Sequence, residues 1–364
     1  MATQPLPSTS PAAGKKTLHR RLTPDSSQRT RHIVQALFVA LNAWLGIQFY
    51  LWVRYFERGG QGFYVSRPAG AEGWLPIAGL MNFRLFTLTG QIPTIHPAAM
   101  FLFLAFLLIS LLLKKAFCSW LCPVGTLSEY LWKLGHKLFG RNFALPRWAD
   151  IPLRGLKYLL MGFFVFFIGT MSADALLGFL ATPYGLIADV RMLNFFREIG
   201  QTAALVLVVL VVGSMLVKNF WCRYLCPYGA LMGLASLLSP VKIRRDTEAC
   251  IDCAKCAKVC PAHLPVDQLV QVRSAECTAC MECIAACPAQ NALQLALPLS
   301  RAQVAAQRWS RRSISPLVLA AAITYIFFTV VLLAKATNHW QTNLPRDVYI
   351  NLVPHADEVS HPGM

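Results

Sequence analysis

The chain has 364 residues, a formal net charge of +17, 55% hydrophobic but only 14% charged residues, and a mean hydropathy of +0.47. Soluble domains carry roughly 25% charged residues, so this balance excludes an ordinary soluble enzyme and points to a chain built into a membrane. Twelve cysteines accompany the hydrophobicity, and their spacing carries the chemistry.

Residues 1–32 are rich in Pro, Ser, Thr and basic side chains and read as a disordered cytoplasmic tail. Arg20-Arg21 has the look of a twin-arginine signal. The apolar run behind it is too long, however, and lacks a small-residue cleavage site, so it reads as an anchor. A spanning helix needs about 20 mostly apolar residues, and five segments are predicted to cross: 33–53, 98–113, 158–180, 202–217 and 315–333. The connection 54–97 holds Trp74, Phe83, Arg84 and Phe86, expected to lie along the headgroups as ordinary surface or as a quinone contact. Lys and Arg divide 26 to 8 between alternate connections. That places the N-terminus and the cysteine-rich segments in the cytoplasm and the C-terminal tail outside. The same asymmetry accounts for the basic balance, so nucleic acid is not an expected partner. Cytoplasmic thiols stay reduced, which favours metal ligation over disulfides.

Two stretches in the membrane part, 33–240, repeat one another. Lys115-Ala-Phe-Cys118-Ser-Trp-Leu-Cys122-Pro123-Val-Gly125-Thr-Leu127 matches Lys218-Asn-Phe-Trp-Cys222-Arg-Tyr-Leu-Cys226-Pro227-Tyr-Gly229-Ala-Leu231, with corresponding cysteines 104 residues apart. Each copy follows the second helix of a hairpin, so the four helices read as two duplicated hairpins of like orientation. That symmetry would bring Cys118, Cys122, Cys222 and Cys226 to equivalent positions at the inner membrane face. Pro123 and Pro227 suit the first position of a helix, leaving Cys122 and Cys226 at its positive end. With Lys115, Lys218 and Arg223 nearby, lowered thiol pKa values are expected. Leu127, Tyr130, Leu131, Leu134 and Leu138 then recur at helical spacing, as in an interfacial helix. The four cysteines read as an additional metal or redox site, iron–sulfur or copper; packed cysteines at a helix break are the plain alternative.

Eight further cysteines form two copies of one signature, Cys250-x2-Cys253-x2-Cys256-x3-Cys260-Pro261 and Cys277-x2-Cys280-x2-Cys283-x3-Cys287-Pro288. In this spacing three thiolates hold one cubane and the fourth reaches its neighbour. The expected ligand sets for two [4Fe–4S] clusters are Cys250, Cys253, Cys256 and Cys287, and Cys277, Cys280, Cys283 and Cys260. Zinc would ask for two pairs separated by a longer span. Lys242, Arg244, Arg245, Lys255 and Lys258 would stabilise reduced clusters, dock an acidic donor, or simply form the positive inner surface. Residues 298–334 read as a linker and fifth helix, with Arg301, Arg308, Arg311 and Arg312 holding its inner end. Residues 335–364 read as a solvated periplasmic tail, in which His339, His355, His361 and Met364 are spaced too irregularly for a copper site. The predicted fold is a mainly α membrane protein with about five transmembrane helices, two duplicated hairpins plus one. It carries a small α+β module over 241–297, like a two-cluster bacterial ferredoxin.

Other chemistries find no residues. There is no Cys-x-x-Cys-His for c-type haem. His32 and His96 fall at opposite membrane faces, so each is expected to be interfacial rather than half of a haem pair. Asp174 and Asp189 read as helix-end or loop residues, and no nucleophile–base set is visible.

The paired Cys-x3-Cys-Pro motifs and the two four-cysteine motifs, with Leu75-Pro76-Ile77-Ala78-Gly79-Leu80-Met81 and His96-Pro97-Ala98-Ala99, resemble the membrane polyferredoxins of the NapH, NosR and CcoG group, especially its short YccM-type members. The resemblance implies a bacterial inner-membrane protein relaying electrons between a cytoplasmic or quinone partner and a membrane or periplasmic redox system. Its partners would be membrane lipid and other redox proteins, and it would be an electron-transfer component rather than a stand-alone catalyst. A CcoG-like alternative is a copper-binding or copper-reducing assembly factor for a respiratory oxidase. The family's ferredoxin ligands fall on the eight cysteines above, and its Cys-x3-Cys-Pro motifs on Cys118, Cys122, Cys222 and Cys226. The chain departs from NosR in having no room for a flavin domain, from CcoG in its short C-terminal segment, and from NapH in its fifth helix.

Overall fold

The computed structural model describes residues 19–22, 24–297 and 313–361. In chain order the helices are α1 Ser27–Glu57, α2 Pro76–Thr89, α3 Pro97–Leu112, α4 Ala116–Trp120, α5 Pro123–Phe139, α6 Arg147–Thr170, α7 Ala173–Leu180, α8 Pro183–Leu186, α9 Ala188–Arg197, α10 Gln201–Leu216, α11 Pro227–Ala235, α12 Lys255–Val259, α13 Glu282–Ala285, α14 Pro316–Ala336 and α15 Arg346–Leu352. A 3-10 turn at Ala69–Trp74 precedes α2, and a π turn at Trp221–Leu225 precedes α11. Strands β1 Lys242–Arg245 and β2 Leu293–Ala296 pair antiparallel, with Ile243 opposite Leu295.

Among the described residues, three helices, α1, α6 and α14, are long and apolar enough to cross a membrane. A fourth span requires α9 and α10 to act as one element bent by 80°, and α3 is a shorter apolar helix. Leu159, Phe163 and Phe166 on α6, Leu205, Val208 and Val209 on α10, and Leu317, Tyr325 and Leu332 on α14 are exposed. So large an apolar surface belongs in hydrocarbon rather than water. The predicted segment 158–180 is not one helix. After α6 the backbone of Ser172 is extended and its hydroxyl accepts from the Ala175 N–H, which starts α7 afresh.

The connection 54–97 is more than headgroup surface. Its helix α2 packs along α3 and buries Met81, Asn82 and Leu85. The two repeated stretches take the same path, α3–α4–α5 and α10–π turn–α11, and pack crosswise: α5 lies on α10, and α11 on α3. At one crossing Gly135 lies so close to the Met215 carbonyl that a Cβ there would collide with it. Helix α5 is inside out for a soluble protein. Leu127, Tyr130, Leu134 and Leu138 face outward while Ser128 and Glu129 are buried, the pattern of an element at a membrane face.

Both ends of the chain do more than expected. Of the predicted disordered tail, residues 19–21 lie along the cysteine-rich module. There Arg21 N–H donates to the Pro288 carbonyl at 2.9 Å and Gln290 N–H to that of His19 at 2.8 Å, and α1 already begins at Ser27. The C-terminal segment is docked rather than solvated. Tyr349, Val353 and Ala356 are buried against Trp52, Val53 and Phe56 of α1. Arg301, Arg308, Arg311, Arg312 and Met364 lie outside the described residues.

Candidate metal centre

The two four-cysteine motifs fold into matching loops. Asp252 and Ala254 in the first, and Ala279 and Met281 in the second, have positive φ of 54°, 55°, 51° and 60°. Non-glycine residues rarely adopt this region, and such strain persists at ligand clamps. The loops turn backbone N–H groups inward. That of Ala257 reaches the sulfur of Cys256, those of Leu264 and Ala262 reach Cys260, and that of Glu282 reaches Cys280. Cys260, Cys277, Cys280 and Cys283 line one small void together with Leu264, Val266 and Val272. Cys287 lies within electrostatic reach of Cys250, Cys253 and Cys256.

All twelve cysteines are free thiols. Burial pushes Cys256 up to about 11 and Cys280 up to about 12, so ligation must displace those protons and is pH dependent. Among the described residues no group of three or more His, Cys, Asp or Glu is placed to hold a metal ion. A cubane offers one iron corner to each thiolate, and soft sulfur donors in loops lined by N–H groups fit such a cluster.

The module's thiols differ in exposure. Cys253 is exposed, whereas Cys256, Cys260 and Cys283 are buried. The second loop is the one held against the membrane helices. Ser119 Oγ donates to the Thr278 carbonyl at 2.6 Å, Trp120 Nε1 to Ala279 at 3.1 Å, and Gln28 Nε2 to Cys280 at 3.0 Å. Arg31, 1% exposed, forks onto Glu129 at 2.5 and 2.6 Å and reaches Glu282 at 3.1 Å, tying α1, α5 and α13 together.

The crosswise repeats gather Cys118, Cys122, Cys222 and Cys226 around one cavity of about 560 Å³, whose wall also includes Cys280. As the Cys-Pro spacing predicts, Cys122 and Cys226 cap α5 and α11. Their sulfurs accept from Gly125 N–H at 3.5 Å and Gly229 N–H at 3.2 Å. Gly125 has no alternative here, because a Cβ would run into the Cys118 carbonyl oxygen. From the thiols the cavity continues past Phe38, Phe106, Phe117 and Phe327 to Gln48, Arg67 and Trp74.

The expected lowering of thiol pKa values is overturned at Cys118 and Cys122. Burial pushes Cys118 up to about 11 and Cys122 up to about 12, outweighing the Lys115 charge beside Cys118. The other two cations are engaged elsewhere. Lys218 Nζ sits 5.2 Å over the Trp132 ring, and Arg223 is bound to Asp150 at 2.8 Å.

A second buried group escaped sequence reasoning. Arg67 binds Glu72 at 2.8 Å and Asp189 at 2.5 Å, and His96 and Thr342 complete the set. Glu72, His96 and Asp189 are 0–1% exposed, so His96 is not interfacial, and Asp189, a helix-end residue in the first turn of α9 as expected, is buried in an ion pair. His96 Nε2 also meets the Gly185 carbonyl at 2.9 Å. No local pattern announces this network, because its members come from four separate stretches of the chain. The docked tail did leave a signal: Tyr349, Val353 and Ala356 recur at helical spacing.

Comparison with known proteins places these features together. A family model described as a 4Fe-4S binding domain matches twice, over residues 95–142 and 199–246, once on each repeat. Another, described as a 4Fe-4S dicluster domain, matches residues 242–288. The "Putative electron transport protein YccM" of Escherichia coli K12 is 50% identical over 331 residues, 91% of each chain. The "Ferredoxin-type protein NapH" of the same organism is 29% identical over 45% of this chain and 56% of its own length. The "Regulatory protein NosR" of Pseudomonas aeruginosa is 30% identical over 44% of this chain and 22% of its own. No solved structure matches. With iron–sulfur motifs, membrane helices and a relative matched over nearly its whole length, the chain belongs to the membrane polyferredoxin family that includes YccM.

Proposed function

We propose that the protein relays electrons at the inner membrane of a bacterium, between a cytoplasmic or quinone partner and a membrane or periplasmic redox system. Cys250, Cys253, Cys256 and Cys287 would hold one [4Fe–4S] cluster, Cys277, Cys280, Cys283 and Cys260 a second, and Cys118, Cys122, Cys222 and Cys226 a further metal centre. Bound there, such clusters supply one-electron chemistry whose potential follows burial and hydrogen bonding to sulfur. The observation that supports this reading is the order of the thiols. Cys253 of the first set faces solvent, Cys260 and Cys283 of the second are buried, and Cys280 shares a cavity wall with the membrane quartet.

A soluble partner meets the module at its Cys253 edge. A membrane-soluble partner reaches the quartet through the cavity between α1, α3 and α14. That cavity has an aromatic waist and polar ends, and its volume of about 560 Å³ lies within the usual range for small-molecule sites. A quinone fits that description. The division of Lys and Arg supports a cytoplasmic N-terminus and module and a periplasmic C-terminus. Five crossings would further require α3 and α10 to span. The copper-handling alternative would use the same four thiols. The match of an iron–sulfur model to both Cys-x3-Cys-Pro stretches supports the first reading over it.

The test is anaerobic purification followed by metal analysis and redox spectroscopy in sealed vesicles. Iron and acid-labile sulfide in equal amounts, with signals reducible both by quinol and by a soluble low-potential donor, are expected. Cys118→Ser should block the quinol step and leave the module's signals intact. Zinc in place of iron, or the module on the outer side, would overturn the proposal. Copper bound by the quartet and lost in Cys118→Ser would move it to the assembly role.

A further inference from the structure

We infer that Lys115 is the fixed counter-charge of the centre held by Cys118, Cys122, Cys222 and Cys226, raising that centre's reduction potential. This rests on reading the quartet as a cluster site. Lys115 is 3% exposed and lines the cavity alongside the four thiols. Its carbonyl accepts from the Cys118 N–H at 3.2 Å, but among the described residues its ammonium is in no hydrogen bond or ion pair. Its Nζ lies 3.6 Å from where a Cβ on Gly229 would stand, so the second repeat's glycine leaves room for it.

Its neighbours are committed. Lys114 Nζ donates to the Ser274 carbonyl at 2.9 Å, and Lys157 Nζ meets both Glu276 oxygens at 2.7 Å. Glu276 also faces Lys115, so two buried ammonium groups, Lys115 and Lys157, share one carboxylate and one positive charge is left over. An unpaired buried cation is costly, and its retention opposite four thiols is intelligible if they carry an anionic cluster that gains charge on reduction.

The repeat makes the device one-sided. Lys218, the counterpart of Lys115, is separated from its cysteine by one more residue. That extra residue is taken up as the π turn Trp221–Leu225, a distortion common at functional sites. Lys218 is thereby carried out over Trp132 and onto the Lys258 carbonyl.

The experiment is an EPR-monitored redox titration, with iron counts, of wild type, Lys115→Met, Lys115→Arg and Lys218→Met. Lys115→Met should make the quartet's centre at least about tenfold harder to reduce, about 59 mV for a one-electron couple. The module's clusters should not move, and Lys115→Arg and Lys218→Met should stay at the wild-type potential. Loss of the quartet's iron in Lys115→Met but not Lys115→Arg would also support a charge requirement. An unchanged potential in Lys115→Met, an equal shift in Lys218→Met, or loss of iron in both Lys115 variants would overturn the inference. Wild-type protein with only the module's iron would refute the underlying reading, and the inference with it.

Discussion

Arg67→Met probes the buried outer network. The substitution keeps a long side chain but removes the cation held between Glu72 and Asp189, which are 0% and 1% exposed. Breaking a buried ionic group from one side leaves charge uncompensated and costs about 3–5 kcal/mol. The Glu72 carboxyl supplies an independent figure. Burial alone would push it up, but the Arg67 charge, aided by His96 and Thr342, holds it at about 2 instead of its ordinary 4.5. That difference corresponds to about 3 kcal/mol at neutral pH. Because the folded value is the lower one, this contribution is complete above about pH 4.5 and is lost as pH falls toward 2. The assay is the thermal midpoint in detergent at a fixed scan rate, since such unfolding is often irreversible. Arg67→Met should lower the midpoint by several degrees. The triple variant Arg67→Met, Glu72→Gln, Asp189→Asn should recover most of the loss, because no buried charge is left over from the Arg67 pairs. The gap between wild type and Glu72→Gln should narrow from pH 5 to pH 3; comparing the two at each pH cancels the acid lability of the clusters. A neutral Arg67→Met, or a triple variant as costly as the sum of its parts, would refute the reasoning.

Three further substitutions test the packing. Gly125→Ala drives a methyl into the Cys118 carbonyl, whereas Gly229→Ala finds ordinary contact distances, 3.4 Å to Cys226 Sγ and 3.6 Å to Cys226 Cβ and Lys115 Nζ. The first should abolish metal at the quartet and the second reduce it little, by iron count on the purified variants. Tyr349→Ala empties a pocket against Trp52 and Phe56 at about 3–5 kcal/mol, and should make residues 346–361 exchange amide hydrogens and be cleaved by protease far faster than in wild type.

The chemistry of the cysteines was legible because it is local. A proline after a cysteine sets a helix start, and three cysteines in one tight loop leave the fourth to reach across. The placement of charge was not legible. Arg223 and Lys218 are as near the thiols in sequence as Lys115. Yet Asp150, from another helix, binds one, and a single inserted residue turns the other away. Likewise the run 158–180 is uniformly apolar, and only the local hydrogen bond of Ser172 ends one helix and begins the next. His96 was read as interfacial because its neighbours are apolar, but its partners arrive from residues 67, 72 and 185.

The crosswise packing of the repeats explains why the quartet forms at all. If each copy folded on itself, its Cys-x3-Cys-Pro break would have only its own two cysteines beside it. Because α5 rests on α10 and α11 on α3, the two breaks meet at the axis between the copies, and four thiols line one cavity. Such an axis would also bring two equal lysines to that cavity, doubling a desolvation cost that grows steeply with like charge. The inserted residue in the second copy removes one of them. A symmetric duplication is thereby made to set one of its two equivalent lysines, not both, beside the quartet, and the side on which Lys115 stands is the side of the module's second loop, where Lys157 and Glu276 close the contact.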